Sequence, residues 1–225
     1  MPEIFGKLFE VRPAAWLTLG IILLISLISF IFLLKKQNTQ SIVHTKKLVY
    51  GGICIALSFV LSYIRLFQLP QGGSITLASM LPLVLYSLIF GPVAGIVAGV
   101  AYGFLQFIQE ASIVNIAQLV LDYPLAFACL GLSGIAPKAI KNLYIRVGLA
   151  TTLAVVARCF MHVLSGVLFF GQYAPEGISP LAYSLVYNGS FLAVEWLITL
   201  ILSFVIISTP IYSTLKKGAA LQVMQ

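Results

Sequence analysis

The stretch IAQLVLDYPLAFACLGLSGI, Ile116 to Ile135, is mostly apolar yet carries one carboxylate, Asp122, followed directly by Tyr123 and Pro124. Its length is what a helix needs to cross about 30 Å of hydrocarbon. An ionisable group at such depth costs roughly 2.5 to 3.5 kcal/mol on insertion scales, so Asp122 reads as a functional group. Two further apolar runs carry Arg158 with His162, and Tyr183 with Asn188. A chain poor in polar residues thus keeps a small hydrogen-bonding set where lipid penalises it.

The rest of the sequence agrees. It is 60% hydrophobic and 8% charged, with a mean hydropathy of +1.07, values that a water-exposed surface would not tolerate. Barrel strands would alternate over shorter segments. The expectation is an all-α integral membrane protein with spans near 14–34, 47–64, 76–90, 92–109, 115–136, 147–170 and 181–209. The first span is followed by a polar linker from Lys35 to Ser41, and reads as an extra N-terminal transmembrane helix. The expected domains are therefore 1–44, helix and linker, and 45–225, a six-helix membrane bundle. The leader mixes Glu3 and Glu10 with Lys7 and Arg12, and no small-residue cleavage site follows Leu34, so a membrane helix is favoured over a removed signal.

The net charge of +7 comes from residues at membrane edges, not from a continuous basic face, which argues against nucleic acid. Lys35, Lys36, Lys46 and Lys47, then Lys138, Lys141 and Arg146, then Lys216 and Lys217 fall on one side if each span crosses once. The positive-inside rule makes that side, and the C-terminus, cytoplasmic. Loops near Arg65–Ser74, Glu110–Val114 and Gly171–Ser179 face outward; Lys7 and Arg12 fall outside against the rule. Cys54, Cys129 and Cys159 lack paired or metal-ligand spacing. With no phosphate loop, zinc signature or nucleophile elbow, the chain reads as no enzyme, without cofactor or metal, and unable to hydrolyse ATP itself.

Gly91, Gly95, Gly99 and Gly103 recur every four residues beside Ala94, Ala98 and Ala101, a ridge suited to close helix packing. Gly52 and Ala56 form a shorter small-residue pair near the cytoplasmic end of their helix, a candidate partner contact. Asn115, Gln118 and Asp122 share one helix face; Arg158, His162 and Gly166 share another, and Ser184, Asn188 and Glu195 a third. Tyr183 lies off that last stripe, and reaches inward only if the helix starts irregularly after Pro180. Arg158 either pairs with Asp122 or snorkels and caps carbonyls. Phe170, Tyr183 and Tyr187 are either interfacial aromatics or pocket walls. The Arg65–Ser74 loop, with Pro70, Gly72 and Gly73, has the composition of a lid or of a plain connector.

Leu121-Asp122-Tyr123-Pro124-Leu125-Ala126-Phe127, Arg158-Cys159-Phe160-Met161-His162 with Ser165-Gly166-Val167, and Ala182-Tyr183-Ser184 with Asn188-Gly189 resemble the thiamine-specific substrate-binding subunits of energy-coupling factor transporters. The resemblance covers roughly residues 45 to 215. It implies a six-helix subunit that captures thiamine from outside and joins a transmembrane coupling protein with two cytoplasmic ATPases. It places Asp122, Tyr123, His162, Gly166, Phe170, Tyr183 and Asn188 at ligand-binding positions. Familiar members carry Glu where Asp122 stands and Trp where Phe170 stands, which implies a shorter carboxylate reach and a weaker stacking plane here. The residues also suit the ligand chemically: an aminopyrimidine needs a carboxylate or amide partner, and a thiazolium cation favours aromatic faces. A binding subunit for another vitamin or a pyrimidine precursor, a carrier working alone, and an intramembrane enzyme using Asp122 and His162 are the competing readings.

Overall fold

The computed structural model describes residues 13–36, 45–110, 113–137 and 139–220. The leader charges Glu3, Lys7, Glu10 and Arg12, the linker beyond Lys36 with the expected domain boundary, and Lys138 lie outside the described residues.

Helices α1 (Pro13–Lys36), α2 (Thr45–Ser62), α3 (Leu81–Phe90), α4 (Pro92–Gln109), α5 (Ile116–Ile135), α6 (Leu143–Phe169), α7 (Pro180–Ile207) and α8 (Pro210–Ala220) account for nearly all regular structure. The expected all-α membrane class holds. By length and apolarity α4, α5, α6 and α7 can each cross a bilayer, while the apolar parts of α1, α2 and α3 are shorter. Large apolar side chains such as Leu17, Val97, Phe160 and Val186 point outward, as expected of helices solvated by lipid.

Three features depart from the sequence expectation. The loop expected between the second and third spans is a two-stranded antiparallel hairpin, β1 (Arg65–Gln68) with β2 (Ser74–Thr76). The third span consequently begins at Leu81 and not at 76, because Ile75 and Thr76 belong to β2 and Ala78 takes a left-handed turn at φ 62°. Beyond Ile207 the chain breaks at Pro210 and continues as α8, which buries Tyr212 against Val147 and Ile207 and leaves Lys216 and Lys217 exposed.

The glycine ridge is an internal packing device. A Cβ on Gly99 would strike the Phe127 carbonyl, one on Gly103 would stand 2.6 Å from the Tyr123 carbonyl oxygen, and one on Gly95 would stand 2.8 Å from Gly131 Cα. Helix α4 therefore lies directly on the backbone of α5. That backbone is irregular: an α-turn over Ile116–Val120 opens into a π-turn over Leu121–Leu125 and tightens into a 3-10 turn over Cys129–Ile135. Pro124 supplies the cause, since it has no N–H to donate and its ring crowds the carbonyl four residues back. The π-turn places Asp122 and Tyr123 at the point where α4, α5 and α6 meet.

Candidate functional site

Asn115 caps α5 by accepting from the Ala117 N–H at 2.8 Å, which sets the start of the helix. One turn on, Gln118 accepts from the Val114 N–H at 3.1 Å and donates through Nε2 to Asp122 Oδ2 at 2.8 Å. From α6, Ser165 donates to the same oxygen at 2.7 Å, and His162 Nδ1 lies 2.9 Å from Asp122 Oδ1. Arg158 Nε donates to His162 Nε2 over a long 3.4 Å, a geometry that fits the tautomer with its proton on Nδ1, facing Asp122. The carboxylate is thus held from two helices before any ligand contributes.

Arg158 neither pairs with Asp122 nor snorkels. It is 8% exposed, its guanidinium stands 4.3 Å above the Phe127 ring, and its Nη1 is 3.8 Å from Glu195 Oε2 on α7. The reason is level: His162, one turn along α6, occupies the place facing Asp122, and Glu195 lies opposite Arg158. Glu195, on the stripe of Ser184 and Asn188, is the partner of Arg158, and nothing local in the sequence tells which cation it meets.

On α7, Asn188 Nδ2 donates to the Ser184 carbonyl at 3.0 Å and to the His162 carbonyl at 3.3 Å. Gly166 lines the cavity, yet the space left by its missing Cβ is taken by Ser184, whose Oγ a side chain there would strike. Ser179 caps α7 regularly, so no irregular start turns Tyr183 inward. Instead the cavity is broad enough to reach a second stripe, Tyr183 and Tyr187, whose rings stand 6.1 Å apart beside Ser184 and Asn188. Phe170 closes the end of α6, with its ring 6.1 Å from Tyr173.

The hairpin covers this group. The Tyr187 hydroxyl accepts from the N–H groups of Gln71 and Gly73, both at 3.1 Å. Arg65 and Glu110 form an ion pair at 2.6 Å, and Gln68 donates to Glu110 at 2.8 Å. Thr76, at the root, donates its N–H to Glu195 at 2.5 Å. Tyr123 joins the same rim by donating to the Glu110 carbonyl at 2.7 Å. Asp122, Tyr123, His162, Gly166, Phe170, Tyr183 and Asn188 all line one cavity of about 1000 Å³, counting its open mouth. Phe127, Tyr187 and Phe191 line it too, and in a sequence this rich in aromatics no local signal separated them from packing residues. Gly52 and Ala56 are elsewhere, exposed on the outer face of α2, while Gly51 beside them packs on Tyr86.

A family model described as thiamine transporter protein matches residues 48–214. The thiamine transporter ThiT of Bacillus subtilis (strain 168) is 31% identical over 164 residues, which cover 68% of this chain and 85% of that protein. The thiamine transporter ThiT of Lacticaseibacillus paracasei is 25% identical over 190 residues, covering 77% of this chain and 90% of that protein. A solved structure of ThiT from Listeria monocytogenes superposes with a TM-score of 0.66 at 28% identity, covering 74% of this chain and 96% of that one. Helix α1 lies outside the residues that the family model matches.

Proposed function

Because the chain belongs to the thiamine transporter protein family, we propose that it is the high-affinity thiamine-binding subunit of an energy-coupling factor importer. It is a multi-pass membrane protein with a transport role and not an enzymatic one. The observation that carries the reading is convergence: a carboxylate, an imidazole, a phenol and an amide from three helices face one cavity beneath a hairpin.

In this reading Asp122 accepts from the exocyclic amine of the aminopyrimidine, and His162, Tyr183 and Asn188 complete the polar edge. Tyr123 holds the rim in place, Gly166 lets α6 and α7 close on each other, and Phe170 with Tyr183 and Tyr187 covers the thiazolium cation. Phe170 offers a smaller face than Trp, and the two tyrosines add aromatic surface beside it. The cavity opens outward and the C-terminus is cytoplasmic, as the distribution of lysine and arginine supports. A transmembrane coupling protein and two cytoplasmic ATPases supply the energy. Gly52 and Ala56, exposed and without side-chain bulk, suit the close approach of a partner helix. Residues 1–44 form an appendage to the binding domain, 45–225.

Mass spectrometry of small molecules released from the purified protein tests the cargo directly. Thiamine is expected; a different vitamin, or a chemically altered product, would overturn the assignment.

A further inference from the structure

The cavity floor holds a charge pair that the ligand contacts above do not use. Arg158 Nη1 makes no hydrogen bond to any described residue, and the nearest carboxylate is Glu195, 3.8 Å away. Glu195 is 3% exposed. It accepts from the Thr76 N–H at 2.5 Å and lies 2.5 Å from the Thr76 hydroxyl, so one of its oxygens has polar partners within the protein. Around the cavity, Arg65 is offset by Glu110 and Arg158 by Glu195. His162 is counted here with a neutral imidazole, its Nδ1 2.9 Å from Asp122 Oδ1. What remains unbalanced is Asp122.

We propose that Glu195 is a specificity-determining residue: by neutralising Arg158 beneath the floor, it leaves the cavity one net negative charge and so selects a singly charged organic cation. This deepens the transport reading and rests on it. Arg158 and Glu195 are buried and weakly screened, so an uncompensated Arg158 would repel a cation and leave an uncharged ligand nearly unaffected.

The test compares two ligands on the full-length purified protein: thiamine, and its uncharged half, 4-amino-5-hydroxymethyl-2-methylpyrimidine. Glu195→Gln keeps the size and an acceptor for Thr76 but removes the charge. Its preference for thiamine over the pyrimidine should fall about tenfold or more, as expected for a like charge left facing the ligand. Arg158→Gln should move that ratio the other way, and the double variant should return it to the parent value. Because Glu195 also fastens the root of the hairpin, a purely structural role would weaken both ligands alike; an unchanged ratio in Glu195→Gln overturns the proposal. If that variant does not fold, an unchanged ratio in Arg158→Gln overturns it instead. Failure of the parent protein to bind thiamine would overturn the transport reading, and this inference with it.

Discussion

Asp122 is held by His162, Gln118 and Ser165, so its oxygens are oriented before a ligand arrives. Asp122→Asn replaces an acceptor with a group that must also donate, and should cost thiamine binding about 1 to 3 kcal/mol by calorimetry. Equal affinity in the variant would remove Asp122 from the ligand contacts. Asp122, His162 and Asn188 were legible from the sequence because a polar group in an apolar run is expensive and needs a reason. The Arg158 to Glu195 pair was not, since pairing depends on the relative heights of α6 and α7, which side-chain spacing within one helix cannot fix.

At the level of elements, the contact between α4 and α5 sets the position of Asp122. A Cβ on Gly103 would stand 2.6 Å from the Tyr123 carbonyl oxygen, beside the π-turn. Gly103→Ala should therefore lower thermal stability by about 1 to 3 kcal/mol, as overpacking does, and weaken thiamine binding with it. Stability lost without any change in binding would show that the turn does not transmit the shift. The hairpin offers an independent measurement. Tyr187→Phe removes the acceptor for two backbone N–H groups, so amide exchange across residues 65–76 should quicken, while α6 and α7 keep their protection. Exchange as slow as in the parent would mean that the other fastenings suffice. The sequence showed that this segment was rich in turn residues; that it forms strands depends on Tyr187, Glu110 and Glu195, which lie far along the chain.

At the scale of the whole molecule, the proposed reading separates capture from coupling. The cavity is lined by the hairpin, α5, α6, α7 and the ends of α2 and α4 that carry Ser62 and Gln106, whereas Gly52 has nothing within 4 Å of where its Cβ would be and faces outward on α2. Gly52→Leu should accordingly leave thiamine affinity unchanged in the isolated protein and abolish ATP-driven uptake in reconstituted vesicles. Normal uptake would rule this face out as the docking surface. Spans were readable to within a few residues for α1, α2, α4, α5, α6's outer end and α7, because composition alone sets where lipid begins; the shortening of α3 and the extra α8 were not, because Thr76 and Tyr212 are claimed by distant partners.

Tyr187, Glu110 and Glu195 stitch the hairpin down at three separate seams. The mouth beside the hairpin keeps its shape only while these fastenings hold, so entry and retention draw on the same bonds. In the proposed reading, a vessel fastened in this way is no conduit by itself, and emptying it toward the cell falls to the partner proteins.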